Sequence, residues 1–278
     1  TMPGVYFGPL AEQNNNYAFA VHANLGRYPL GHTLILPDGR EYRFALNDGT
    51  AEVAGNLYQS VVGLAGHTNI APDVARAIDA VVISATLNTT AAGVDIYSEG
   101  LVHVNAAPGE GYSHRIKRAM IAGDAHASAV ATGVLTVNLA AGEDVQVALT
   151  TASNVSFTRN RYHQVLIHPA PPTGGLAGVS PGVAAADRFY WSQVKGYAAV
   201  LASGTLLEGL PVMAGITTNG SVESYKQRAR IGGTTLAATA VTQAFGRLVD
   251  QDGVTTDYFI GVSSTQTTVS AVDITGGI

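Results

Sequence analysis

The chain has 278 residues and no cysteine, with 15 Lys and Arg against 20 Asp and Glu, for a formal net charge of -5. This length accommodates one large or two modest domains. The lack of cysteine excludes disulfides, thiolate zinc sites and cysteine nucleophiles. The acidic balance argues against a general binder of nucleic acid or anionic membranes.

Charged residues make up only 13% of the chain, about half the usual share. Such a neutral surface favours a protein that works within an assembly; a secreted β protein is the alternative. No apolar stretch is long enough to span a bilayer, and residues 1–7 lack the basic and apolar regions of a secretory signal. We therefore expect a protein that is made and used without export.

The N-terminal residues predict an extended arm, residues 1–30, followed by a β-hairpin. Residues 11–27 carry the polar run Gln13 to Asn16 and little apolar periodicity. Next, a strand at 33–36 meets Pro37-Asp38-Gly39, a turn signal in which glycine takes the left-handed position. In the second strand, residues 41–46, polar and apolar positions alternate, which predicts one buried face.

The middle of the chain predicts one short helix and then a series of strands. Val74, Ala77 and Ile78 form one helical stripe within residues 71–79, and Pro72 and Asp73 suit a first turn. From about residue 80 the period falls to two. Strands are expected around 81–83, 94–96, 102–104 and 116–118, and a second hairpin from 135–139 to 145–149.

Residues 169–182 hold four prolines and four glycines, which predicts a linker. The predicted domains are therefore an N-terminal β domain at 31–168 and a C-terminal β domain at 183–278. Beyond the linker, strands are expected at 189–194, within 236–249, at 258–262 and in the tail at 267–274. The fold class is mainly β, with antiparallel sandwich or barrel modules, hairpins, one short helix and the extended arm.

Catalytic and metal motifs are weak. Gly178-Val179-Ser180-Pro181-Gly182 matches the G-x-S-x-G pattern of serine hydrolases, but a Pro/Gly segment precedes Ser180 where a nucleophile elbow needs a buried strand. Asp124 and His126, with His114, could supply metal ligands, yet loop-forming residues surround the first two. The eight histidines are scattered. We therefore expect no enzyme activity, no catalytic or metal residues and no cofactor.

One basic cluster, His114-Arg115-Ile116-Lys117-Arg118, carries a short positive stripe, and Arg159 and Arg161 form a second. It could orient docking onto an acidic surface of a neighbouring subunit; a solvated strand face is an equal alternative. Nucleic acid is a poorer choice because aromatic residues do not alternate with these charges.

Three early and three later segments carry a further signal: Gly39 to Ala45, Ala54 to Tyr58, Gly109 to Lys117, Tyr190 to Leu206, Leu210-Pro211-Val212 and Gly220-Ser221-Val222. Taken together, and over roughly residues 32–225, these segments resemble virion structural proteins of tailed bacteriophages that decorate or cement the capsid. This resemblance implies a β-rich homotrimer on the capsid exterior that binds the major capsid protein lattice and bridges capsomers. The resemblance implies that the protein has no catalytic residue and binds neither nucleic acid nor membranes. It also implies that the protein is located in the host cytoplasm during assembly.

Low charge suits this role because it lowers the desolvation cost of large contacts. The N-terminal arm and the tail at 267–274 could add main-chain hydrogen bonds to a neighbouring sheet edge. The alternatives are another virion component of the tail, neck or head fibre, or a carbohydrate-binding or adhesion β module. The single tryptophan, Trp191, could serve such a module as a sugar platform or stand in the core as an anchor. A hydrolase acting through Ser180 is a third alternative.

Overall fold

The computed structural model describes residues 5–6, 18–23, 28–93, 95–118, 133–206, 211–224, 244–250 and 269–274. The fold is mainly β, with antiparallel sheets, as the sequence predicts. The described strands, in chain order, are β1 (Val5–Tyr6), β2 (Thr33–Ile35), β3 (Glu41–Leu46), β4 (Leu57–Gln59), β5 (Val82–Thr86), β6 (Leu101–Ala106), β7 (Ser113–Arg115), β8 (Val134–Asn138), β9 (Asn154–Thr158), β10 (Leu166–Ile167), β11 (Leu176–Val179), β12 (Phe189–Leu201), β13 (Pro211–Ala214), β14 (Val222–Ser224), β15 (Ala244–Asp250) and β16 (Val269–Ile274).

The chain forms two compact units that differ from the predicted domains. Residues 1–61 and 164–278 form one unit, here the discontinuous unit, and residues 62–163 form the other, here the inserted unit. Each has hydrophobic residues of its own core. A boundary at 169–182 is not seen, because the chain returns to the first sheet at β10, before the proline-rich segment begins.

The discontinuous unit is organised around β12, a strand of 13 residues. Its first half pairs with β3 and its second half, from Gly196, pairs with β16. A register shift between Gln193 and Lys195, together with a positive φ at Gly196, marks the change of partner. The sheet path runs β1-β2-β3-β12-β16-β15-β13-β14, with β4, β10 and β11 attached through β12.

Two groups of side chains fill this unit. Around the first half of β12 the rings of Phe44, Phe189 and Trp191 lie in contact, with centroids 5.0 Å apart for Phe44 and Trp191 and 5.5 Å for the stacked pair Phe44 and Phe189. Around the second half the core is aliphatic and includes Leu57, Val200 and Val212. The length of β12 therefore joins an aromatic and an aliphatic core.

The predicted linker contains a strand, which corrects the expectation that its composition excludes one. β11 pairs with β4 on one side and with β12 on the other. Gly178 makes this possible: its φ is +121°, and a Cβ there would lie 2.5 Å from the Gln193 carbonyl oxygen. Glycine is thus used for close backbone approach rather than for flexibility.

We expect Gly178→Ala to destabilise the discontinuous unit by about 3 kcal/mol, because backbone strain adds to an overlap with β12. Gly204→Ala is the matched control: Gly204 also has a positive φ, +73°, but a Cβ there meets nothing within 4 Å. Urea unfolding followed by the fluorescence of Trp191 measures both. Equal losses in the two variants would contradict the role given to Gly178.

The inserted unit has two small sheets, β5-β8 and β7-β6-β9. One buried cluster contains residues of both, among them Ile83 and Val137 from the first sheet and Val102 and Phe157 from the second. The apolar positions alternate along β6 and β8 as the period of two predicts.

The short helix predicted at 71–79 is wrong. The segment is extended, with isolated bridges from Pro72 to Ala85 and from Arg76 to Leu149. Val74 and Ile78, which form the apolar stripe of the prediction, are exposed. Backbone groups of this segment make hydrogen bonds to other strands instead of the hydrogen bonds that they would make within a helix. Helix propensity over only nine residues is therefore too weak to decide the structure.

The second predicted hairpin is half right. Its first strand is β8, but residues 145–149 do not pair with it. Val145 instead exchanges backbone hydrogen bonds with Asp79 and Ala80, and Leu149 with Arg76. The apolar residues at 145 and 149 are buried as expected, but their partners lie some seventy residues earlier in the sequence rather than across a turn.

The first hairpin is confirmed as β2 and β3, with Tyr42 and Phe44 buried and Gly39 at φ +86°. β15 and β16 confirm strands within 236–249 and in the tail, and β16 lies between β12 and β15 of its own chain. In the arm, β1 pairs in parallel with β2, and His22 pairs with Phe189. Ile96, predicted in a strand, lies in a turn, and residues 258–262 lie outside the described ranges.

Candidate interaction surface and cleft

Ser180 follows the end of β11 and is completely buried. Its hydroxyl donates to the Gly182 carbonyl at 2.7 Å, and its backbone N–H donates to the Asn56 carbonyl. A serine nucleophile needs a base within hydrogen-bond reach and access for a substrate. The structure gives the Ser180 hydroxyl a carbonyl partner instead.

The residues considered for a metal site are not brought together. Asp124 and His126 lie outside the described residues. His114 is buried on β7, where burial lowers its pKa, and its ring stacks on Tyr112 with centroids 6.4 Å apart. Over the described ranges no three His, Asp or Glu side chains converge as a metal would require.

The basic cluster is compensated inside the inserted unit. Arg115 donates to Glu143 at 3.1 Å, and Arg118 forms an ion pair with Glu99 at 3.3 Å. These pairs reduce the positive field that an acidic partner surface would meet. The docking interpretation of this cluster therefore loses its main support.

The inserted unit instead presents an apolar strip, defined here as Val74, Ile78 and Val81. These side chains are 46, 57 and 57% exposed. Val74 and Ile78 lie on the segment that replaces the predicted helix, and Val81 directly precedes β5. Asp79, between them, has a positive φ and donates its N–H to the Val145 carbonyl, which holds the segment on the unit's surface.

Two of the three charged groups on residues 71–81, Asp73 and Arg76, are paired with each other, and the third, Asp79, is exposed. The Asp73 carboxylate accepts from the Ser84 hydroxyl and lies 3.9 Å from the Arg76 guanidinium, which also donates to Ser84. The pairing compensates the charges of Asp73 and Arg76, so Asp79 is the remaining charge beside the exposed Val74, Ile78 and Val81 side chains. Each of the three apolar side chains is therefore available for contact with another molecule.

The discontinuous unit contains a cleft of about 390 Å³. Its floor is built from small residues, Ala54, Gly55, Ala198 and Ala199. Gly55 has a positive φ, and its N–H donates to the Ser180 carbonyl while its own carbonyl accepts from Leu201. The lack of long side chains gives the cleft its depth.

One wall of the cleft is polar. Arg40 donates through Nε to the Asp38 carboxylate at 2.6 Å and through Nη1 to the Tyr42 hydroxyl at 3.1 Å. Burial raises the pKa of Tyr42 to about 12, with Asp38 adding to the effect and Arg40 opposing it. The phenol therefore keeps its proton at neutral pH, and the Tyr42 side chain is completely buried beneath this wall.

Gln193 completes this wall. Its Nε2 donates to the carbonyls of Lys195 and Tyr197, at 3.2 and 2.7 Å. Both amide hydrogens serve the bulge of β12, so the acceptor oxygen is what this side chain can offer a ligand. Two aromatic residues also line the cleft, Tyr197, which is 59% exposed, and Phe19, which is 45% exposed.

Close to the cleft floor, the discontinuous unit buries a carboxyl group, that of Glu52, which is 1% exposed. Burial raises its pKa to about 8, and the Asp48 carboxylate adds to the effect. Hydrogen bonding with Tyr58, Tyr190 and Ser180 opposes it. Neither Glu52 oxygen has a partner that meets both the distance and the angle of a regular hydrogen bond, so burial remains the dominant effect on its pKa.

The sequence did not reveal the cleft, because its residues come from five separate segments. It also left the role of Trp191 open, and the structure places that side chain in the aromatic core, fully buried. The sequence contains a signal for these exposed residues, since Val74 and Ile78 belong to the stripe that predicts a helix, but the structure places them on an exposed segment that is not helical.

Within the described ranges, no helix has the length and apolar character needed to cross a bilayer. No protein-family model matches the sequence, and comparison with curated proteins and with solved structures gives no match either.

Proposed function

We propose that this protein is a structural subunit that decorates a tailed-phage capsid, binding the outer face of the major capsid protein lattice and bridging capsomers as a homotrimer. One observation carries the proposal: the apolar strip of Val74, Ile78 and Val81 stands exposed on the inserted unit, beside the paired charges of Asp73 and Arg76. Such a surface loses little by leaving water and gains by contact with another protein.

Two further observations support it. The chain has an unusually low share of charged residues, which suits extended contact with a neutral lattice. The basic cluster of the inserted unit is paired internally, so contact would depend on apolar area rather than on an electrostatic match. On a shell, many copies of a modest contact act together through effective concentration.

The test is reconstitution on shells of the cognate major capsid protein. We expect the full chain to cosediment with shells and to raise the temperature at which they disassemble, because a ligand that binds only the assembled lattice stabilises it. Ile78→Asp should weaken binding at least ~tenfold, since it buries an unpaired charge. Light scattering of the isolated chain should show a trimer.

Val134→Asp is the matched control. Val134 is also an exposed valine of the inserted unit, but it lies at the far end of the β5-β8 pair, opposite Thr86, whereas Val81 adjoins the other end at Val82. The control should bind as the unchanged chain does. The proposal would be rejected if the protein did not cosediment with shells, or if Ile78→Asp and Val134→Asp lost the same amount of binding affinity.

A further inference from the structure

We propose that the cleft of the discontinuous unit binds a neutral saccharide. This inference goes beyond capsid decoration and does not depend on it, because cleft and apolar strip belong to different units. It also replaces the sugar platform considered for Trp191, which is buried.

The first argument is that the cleft lining combines aromatic and polar residues. Sugars present apolar C–H faces together with hydroxyl groups that both donate and accept. Tyr197 and Phe19, both exposed, line the cleft with aromatic residues. The Asp38 carboxylate, which is 52% exposed, and the Gln193 amide oxygen supply acceptors for hydroxyl groups.

The second argument is charge. The only two ionised groups of the polar wall, Asp38 and Arg40, are joined by a 2.6 Å contact, and Tyr42 is neutral at ordinary pH. A phosphate or carboxylate ligand would have to compete with Asp38 for the guanidinium. A polyol loses nothing by meeting a compensated pair, so the electrostatics favour an uncharged ligand.

The third argument is preorganisation. Tyr197 follows Gly196, whose positive φ lets β12 turn past Arg40; a Cβ at Gly196 would lie 2.8 Å from the Arg40 side chain. The Gln193 amide then holds the Tyr197 carbonyl at 2.7 Å. The bulge thus fixes the backbone that displays the ring, which lowers the ordering cost of binding. A volume of about 390 Å³ suits a mono- or disaccharide.

The test is saturation-transfer NMR on the isolated full chain with glucose, galactose, mannose, N-acetylglucosamine and their common disaccharides. We expect transfer to the ring C–H protons of at least one sugar, with little dependence on salt. Tyr197→Ala should lower affinity ~tenfold, and Tyr197→Phe should keep most of it, because the ring face makes the contact.

Tyr112→Ala is the control, since Tyr112 is an exposed tyrosine of the inserted unit, and it should leave sugar binding unchanged. Ile78→Asp should also leave it unchanged, which separates this result from the shell experiment. Absence of transfer to every sugar tested would overturn the proposal. So would an unchanged affinity in Tyr197→Ala, or a steep salt dependence, which indicates a charged ligand.

Discussion

Glu52→Gln is expected to abolish a fall in stability of the discontinuous unit between pH 4.5 and neutrality. The Glu52 carboxyl has a pKa near 4.5 when unfolded and about 8 when folded, so the folded state holds one proton more across that interval. The contribution of the Glu52 proton to the free energy of unfolding is therefore fully present below pH 4.5 and is lost as the pH rises toward 8. At 1.36 kcal/mol per pH unit, the loss by neutral pH is about 3 kcal/mol.

Trp191 makes this measurement specific. It is the only tryptophan of the chain and lies in the aromatic core of the discontinuous unit, so its fluorescence follows the unfolding of that unit. Urea titrations across the pH range should show the slope in the unchanged chain and lose it in Glu52→Gln. Glu41→Gln is the control, because Glu41 forms a solvent-accessible ion pair with Lys195. Persistence of the slope in Glu52→Gln would contradict the assignment.

The inserted unit should respond to pH in the opposite direction. His163 is buried, and its Nδ1 has no hydrogen-bond partner among the described residues. Burial, with Arg159 nearby, lowers its pKa to about 4. Between pH 6.5 and 4 the unfolded state binds a proton at His163 that the folded state does not bind. His163 therefore costs no stability above pH 6.5, and the free energy of unfolding of the inserted unit falls by about 3 kcal/mol on acidification to pH 4.

Amide hydrogen exchange at Val102 and Val104 of β6 follows this unit, since both residues are in its core. His163→Gln should remove most of the acid-induced loss of protection. Burial also lowers the pKa of His114, which leaves a smaller loss in the same direction. His103→Gln, at a less buried position on β6, should behave as the unchanged chain. An unaltered profile in His163→Gln would refute the assignment to that residue.

Local signals predicted the elements that are made by neighbours in sequence. The hairpin around Gly39 followed from turn chemistry, and β6 and β8 followed from their alternation. The segment at 71–79 failed because a stripe of Val74 and Ile78 fits an exposed extended strip as well as a buried helical face. Periodicity shows which side chains share a side, not whether that side meets the core.

The strand pairings and the cleft that the sequence does not predict are formed by residues far apart in the chain. Leu176 of β11 pairs with Gln59, more than a hundred residues earlier, and no turn between them indicates it. The proline and glycine content of 169–182 is read most simply as a linker, whereas Gly178 is needed there to let two strands approach. The cleft was hidden for the same reason, because Asp38, Gln193 and Tyr197 meet only after β12 has paired with β3.

The position of the inserted unit in the chain has an evolutionary consequence. The first sheet is left after Gln59 and re-entered at Leu166, and these two residues are paired directly across β4 and β10. Everything from one to the other can therefore be exchanged by recombination for a short loop or an unrelated module, with both ends already held at the right spacing. A replacement of the inserted unit therefore leaves the pairing of the long sheet unchanged.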